Sequence, residues 1–306
     1  MRDTLLIVLL CFTFMVANAQ QNAQFSQFMW TKLAQNPAYA GSADHLCLTA
    51  LHRSQWVGLE GAPTTQSFSA HAPFFKERVG IGLNIIHDDI TISNNWNIGM
   101  AYSYRMKMNT GTLSLGVQGT IKYIDVDWDE TQALEIDDNA IPQFETQKYF
   151  PDMSAGVYYQ TKKFYAGLSV QNLIKAKVNF DEGELIDVIR TDKRHIFAMG
   201  GYIFNLSDNV KLNPVFLVKY VRNAPLDIDL NASLIFYDKV WFGLSYRKDD
   251  SIDAILQYQA SKQIKIGLAY DFTLSELQQV NRGTYEIMMQ YCFHFNNNKI
   301  INIRFF

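Results

Sequence analysis

The sequence predicts an all-β protein: a transmembrane outer-membrane β-barrel of about 14 antiparallel strands, carrying an N-terminal periplasmic or plug segment. Composition is the first observation. Of 306 residues, 48% are hydrophobic, 14% aromatic and only 19% charged, against about 25% charged in an ordinary soluble domain. Mean hydropathy is nevertheless −0.10, and beyond the N-terminus no apolar run approaches the ~20 residues of a membrane helix. The second observation is a repeated, strict alternation of apolar and polar residues over long segments. The third is that the connections between those segments alternate between short and long. A net charge of −3 removes any electrostatic case for nucleic acid.

In chain order, residues 1–19 read as a signal peptide. Arg2 precedes an apolar core from Leu5 to Val16, and Ala17-Asn18-Ala19 supplies an A-x-A cleavage pattern, so the mature chain is expected to start at Gln20. The apolar core is too short to span a bilayer. Cys11 lies inside it, not at the cleavage point, so no lipoprotein is expected. Two cysteines remain, Cys47 and Cys292, in a compartment that permits disulfides.

Residues 20–45 form an N-terminal motif segment. It contains Phe25-Ser26-Gln27-Phe28-Met29-Trp30 and then Asn36-Pro37-Ala38-Tyr39-Ala40-Gly41-Ser42. A solvated leader has little use for so many apolar residues, so the segment is expected to plug the lumen or dock at the periplasmic mouth. A simpler alternative is a capping turn ending at Asn36-Pro37.

The barrel itself is expected over 46–295. From Trp96 to Lys107 one face reads Trp96, Ile98, Met100, Tyr102, Tyr104 and Met106, and the other Asn97, Gly99, Ala101, Ser103, Arg105 and Lys107. Ile264, Ile266, Leu268, Tyr270 and Phe272 likewise oppose Lys265, Gly267, Ala269 and Asp271. A period of two with one wholly apolar face is a strand with one greasy side. A soluble sandwich also alternates, but its strands average about five to six residues. These are long enough to cross a bilayer on a tilt, and their greasy faces carry the aromatics of interfacial girdles. The segments are 46–54, 64–73, 79–88, 95–108, 110–124, 152–160, 163–171, 195–204, 211–221, 227–237, 240–248, 251–260, 263–272 and 283–295. An even count places both termini in the periplasm, with short turns on that side and longer loops outside. Met108 to Gly111, Gln160 to Lys163, Asp238-Lys239 and Ser261-Lys262 are the short turns. Asp125 to Pro151, Asn172 to Arg194 and Thr273 to Arg282 are outward loops, and the short outward turn at Lys248 to Asp250 departs from the trend. Residues 296–306 are a tail or a short pairing segment ending in the aromatic Phe306.

Chemistry-bearing motifs are few. Asp125-Val126-Asp127-Trp128-Asp129-Glu130 starts like a calcium loop, but Glu130 stands where the turn needs Gly and Ile136 where it needs Glu, so an acidic solvated loop is the better reading. The histidines at 45, 52, 71, 87, 195 and 294 show no metal-ligand spacing. His52, His87 and His294 are explained by lumen-side or girdle positions. No G-x-S-x-G, phosphate loop or H-E-x-x-H occurs, so no enzyme, cofactor or metal is expected. On the lumen phase of the first and last strands lie two pairs of interest. Cys47 and Cys292 are placed either for a disulfide pinning the closure seam or as two free, buried thiols. Arg53 and Glu286 are expected to form an ion pair across the same seam, since on the lipid face such a charge costs ~2–4 kcal/mol.

These residues resemble the PorP/SprF family of type IX secretion system membrane proteins. The resemblance rests on Phe25-Ser26-Gln27-Phe28-Met29 and on Asn36 to Ser42 with Pro37 and Gly41. It continues through Arg53-Ser54-Gln55-Trp56-Val57-Gly58 and Gly61-Ala62-Pro63-Thr64-Thr65-Gln66, then Gly283-Thr284-Tyr285-Glu286-Ile287-Met288 and Arg304-Phe305-Phe306. Asn281-Arg282-Gly283 departs from the glycine-richer approach usual there. The resemblance implies a non-catalytic outer-membrane barrel that partners with, and anchors at the cell surface, a secreted adhesin carrying a C-terminal export domain, gliding-motility adhesins included. It also implies contact with type IX secretion components, including a periplasmic ring, besides outer-membrane lipid. Beside this, Gln55 to Thr65 reads as a shaped first outward loop in which Trp56 is either a binding hot spot or a girdle aromatic. The alternative function is an outer-membrane porin or hydrophobic-solute channel.

Overall fold

The computed structural model describes residues 23–128, 146–174 and 193–293, and the side chain of Thr146 is left aside. Fifteen strands are found among them. They are β1 (Leu46–Ser54), β2 (Thr64–Phe74), β3 (Val79–Ile90), β4 (Ser93–Lys107), β5 (Thr112–Val126), β6 (Thr146–Gln160), β7 (Phe164–Gln171), β8 (His195–Tyr202), β9 (Phe204–Asn205), β10 (Val210–Val221), β11 (Asp227–Phe236), β12 (Val240–Arg247), β13 (Ser251–Gln259), β14 (Ile264–Thr273) and β15 (Thr284–Phe293). Sequential neighbours pair antiparallel, β8 and β9 both pair with β10, and β15 pairs with β1, so the sheet closes. The strands β8 and β9 form one stave broken at Ile203, whose side chain turns inward onto Ile235 and Trp241. The closed wall therefore has 14 staves.

Burial is inverted relative to a soluble protein. On β4 the outward Trp96, Ile98, Met100, Tyr102 and Tyr104 are exposed while Ala101, Ser103 and Arg105 are buried in the lumen. The same holds around the wall, leaving an apolar outer belt far larger than soluble monomers carry, which is the lipid face of an outer-membrane barrel. Aromatics cluster near both rims. Tyr123 and Tyr149 lie 4.6 Å apart at one, and Tyr202 and Phe204 lie 4.4 Å apart at the other.

Connections divide the barrel into a short-turn mouth, where β1 begins and β15 ends, and a long-loop mouth. Three boundaries differ from the alternation pattern. β3 and β4 run on to a two-residue turn, Thr91-Ile92, giving a second short link at the long-loop mouth. β6 begins at Thr146, because its polar start pairs with the end of β5. The acidic stretch after Ile124 accordingly begins inside β5, and its later part lies outside the described residues. The signal peptide, His294 and the tail also lie outside them.

The N-terminal segment occupies the lumen. Phe25, Phe28, Met29, Trp30, Leu33, Ala38, Tyr39 and Ala40 are all buried there. It is built from a 3-10 turn (Phe28–Trp30), a short helix α1 (Lys32–Gln35) and a second 3-10 turn (Pro37–Tyr39). Asn36 starts that second turn, accepting from the Ala38 N–H at 3.0 Å, and Pro37 fills the first position, where a missing N–H is harmless. The segment threads the barrel lengthwise. Gln24 bonds Asp227 at the long-loop mouth, whereas the Ser42 carbonyl accepts from Gln160 at the short-turn mouth. Residue 23 thus lies at the opposite mouth from Phe293, since the segment crosses the full lumen before β1 starts; the two chain ends, expected on one side, lie outside the described residues.

Candidate functional site

Three constellations hold the segment inside the barrel. On the seam side, Arg53 and Glu286 are direct cross-strand partners, and Arg53 Nη1 lies 3.3 Å from Glu286 Oε2 and 2.8 Å from Asp271 Oδ2. All three side chains are at most 3% exposed. One guanidinium facing two carboxylates leaves an excess negative charge, and the plug supplies donors to it. The backbone N–H groups of Ser26 and Gln27 bond the two Glu286 oxygens at 2.9 and 2.8 Å. Ser26 Oγ donates to Asp271 at 2.7 Å and accepts from Arg53. Charge-assisted bonds of this kind are about twice as strong as neutral ones, and the Phe25–Met29 motif is shaped to make them.

The second constellation is built on buried basic side chains. Arg247 holds the Phe25 carbonyl at 3.1 Å and Asp229 at 2.7 Å. Deeper in the lumen, Lys265 Nζ sits 3.7 Å from the Trp30 ring centre and 3.9 Å from that of Trp241, a cation held between two aromatic faces. Lys32 lies 4.4 Å above Tyr165.

The third constellation, on the opposite wall, uses little charge. Asn36 Nδ2 donates to the Val157 carbonyl at 3.0 Å, Ser169 Oγ to the Gln35 carbonyl at 2.6 Å, and Ser103 Oγ to the Ala40 carbonyl at 2.8 Å. Backbone meets backbone so closely that the wall must be glycine. A Cβ on Gly80 would overlap the Ala40 carbonyl, one on Gly116 the Ala38 nitrogen, and one on Gly156 the Asn36 side chain. Gly41, at φ 73°, turns the plug toward β1 and donates its N–H to His71 Nδ1 at 3.2 Å.

Most of the motif residues fall in three places. Phe25, Gln27, Arg53 and Glu286 come together at the seam. Asn36, Pro37 and Gly41 meet the opposite wall. Gln55, Trp56, Gly61, Pro63 and Thr64 form the first outward loop and its exit. There Gln55 N–H bonds the Pro63 carbonyl at 2.9 Å, and Gly61, at φ 70°, offers its carbonyl to Thr91 Oγ1 at 3.0 Å. That loop continues the seam, because Arg282 N–H bonds the Val57 carbonyl at 2.7 Å, Val57 N–H bonds that of Gly283 at 2.9 Å, and Trp56 N–H bonds Thr284 Oγ1 at 3.0 Å. The Asn281-Arg282-Gly283 approach is thus an extension of the seam ladder. Thr65 bonds Asp88 at 2.6 Å on the lumen side. Gln66 lies on the outer face between His52 and His87, whose ring stacks on Trp96 at 4.2 Å. Tyr285 faces outward against Tyr270. At the base of the seam Cys47 and Cys292 are register partners with Cα atoms 4.1 Å apart and their sulfurs bonded.

Sequence reasoning missed Asp271, Arg247, Asp229 and the Trp30–Lys265–Trp241 stack as holders of the plug. Their signal was available in part, since a charge on the lumen phase of an otherwise apolar strand needs a partner. Among the described residues no group of three His, Cys, Asp or Glu side chains could hold a metal ion.

A family model described as "Type IX secretion system membrane protein PorP/SprF" matches residues 17–291. No curated protein matches the chain. Among solved structures, the TodX deltaS2S3 mutant monoaromatic hydrocarbon channel aligns with TM-score 0.52 at 11% identity, over 86% of this chain and 94% of that one. An outer membrane protein, Omp33 of Acinetobacter baumannii, aligns with TM-score 0.47 at 8% identity over 82% and 100%. A FadL homologue of Pseudomonas aeruginosa aligns with TM-score 0.45 at 12% identity over 85% and 93%.

Proposed function

Since the chain belongs to the PorP/SprF family of type IX secretion system membrane proteins, we propose that this outer-membrane barrel partners with a secreted surface adhesin carrying a C-terminal export signal and anchors it at the cell surface. The role is mechanical, with no catalytic step. In this reading the long-loop mouth faces the exterior and the short-turn mouth faces the periplasm, where the ring of the secretion machine is met. The observation that carries it is the filled lumen. A segment fixed by two buried arginines and a glycine-lined wall makes the barrel a stoppered platform, suited to holding a partner more than to passing solute. A mild-detergent pull-down from envelope membranes with mass spectrometry tests it. Recovery of a large adhesin together with secretion components is expected, and recovery of neither defeats the proposal.

The second reading is a porin or hydrophobic-solute channel, favoured by the space left at the long-loop mouth. Conduction in planar bilayers separates the two.

A further inference from the structure

At the long-loop mouth the plug stops short of filling the barrel. A space partly continuous with the exterior lies above Ala34 and Gln35, which form its floor. Its wall has an unusual chemistry for an outer mouth. Seven amide side chains line it: Gln24, Gln35, Asn84, Asn97, Gln118, Gln171 and Asn172. An amide offers both a donor and an acceptor, the same pair that a peptide group presents. Ile86 and Leu217 add apolar surface between the amides.

We propose that this blind vestibule is a peptide socket, which receives an extended polypeptide segment of the exported partner. The proposal rests on the anchoring role above and names the surface that performs it. An extended segment entering from the exterior meets amides from β3, β4, β5 and β7 on successive sides and ends against the plug. Its backbone N–H and C=O groups pair with the lining amides, and its apolar side chains meet Ile86 and Leu217.

The test uses the full-length protein in its own envelope. Benzoylphenylalanine at position 97, a half-buried site on the β4 wall, is photo-activated, and the adduct is mapped by mass spectrometry. The expected adduct is to one segment of the co-purifying adhesin. In parallel, Asn97→Trp and the smaller Asn97→Arg narrow the socket, and each should lower adhesin recovery by about tenfold or more, equivalent to ~1.4 kcal/mol of binding. Heat-modifiable gel mobility confirms that each variant remains a folded barrel. Adducts confined to this chain's own loops or to a glycan overturn the proposal, as does undiminished recovery with both folded variants. In the last case the anchoring role stands and only the socket falls. If the wild-type barrel recovers no adhesin, both fall together.

Discussion

The two walls that grip the plug do so by opposite physics. The seam wall of β14, β15 and β1 uses charge, with Arg53, Asp271 and Glu286 buried together and the plug's backbone N–H groups completing the network. The wall of β3 to β7 uses shape, with glycines that let the plug's backbone lie against the strands and hydroxyls that meet its carbonyls. A charged network is unforgiving of losing one member, because the remaining charges stay buried. A steric wall is indifferent to polarity but intolerant of added atoms. The seam is also the only place where the ends of the barrel chain meet, so the plug's charged contacts tie closure of the wall to occupation of the lumen.

The contrast can be broken from the charged side first. Arg53→Met strands Asp271 and Glu286 together in the lumen and should cost about 3–5 kcal/mol in urea unfolding of the refolded barrel. Arg53→Glu alone should impair assembly, and Glu286→Arg in the same chain should restore part of it. If the double exchange assembles no better than the single one, the cross-seam pair is not what Arg53 contributes. Removal of the covalent tie, Cys47→Ser with Cys292→Ser, is expected to cost about 2–4 kcal/mol. The same loss should appear in the unaltered protein on adding reductant, and coincident melting curves with and without reductant would show that the bond constrains nothing. On the steric wall, Gly116→Ala puts a methyl into the Ala38 backbone and should cost about 1–3 kcal/mol. Gly119→Ala, three residues along the same strand and meeting nothing within 4 Å, is its neutral control. Equal effects at 116 and 119 would remove the steric account. The smallest effect belongs to the rim pair Lys107–Glu77, whose side chains are 65% and 40% exposed. Lys107→Ala should change stability by about 0–1 kcal/mol, the part that salt screens.

The wall of the barrel was legible in the sequence because alternation reports directly on which side each residue faces. β1 at 46–54 and β12 near 240–247 needed only that phase. Boundaries were less legible. Ile203 keeps the inward phase of His195, Phe197 and Met199, so alternation does not show the break after Tyr202, and the polar residues that start β6 carry no greasy face to mark them. Phase also placed Arg53 and Glu286 on one side, but which charges they would meet depended on closure pairing β15, with its hairpin neighbour β14, against β1 and on a plug with no periodicity of its own. Gly80 and Gly116 show the same limit. An inward glycine is visible in a strand, whereas the backbone that lies against it comes from 40 to 80 residues away, at Ala40 and Ala38. The trajectory of the plug, from the long-loop mouth down to β1, was not legible at all, because nothing in residues 23–45 encodes direction along a barrel that has yet to form.

The central claim is that the N-terminal segment stoppers the lumen, and ion conductance in planar bilayers tests it most directly. The full-length barrel should hold closed, and a variant lacking residues 24–41 that still shows heat-modifiable mobility should conduct steadily as an open pore. Steady open-pore conductance from the full-length protein, equal to that of the deletion, would contradict the account.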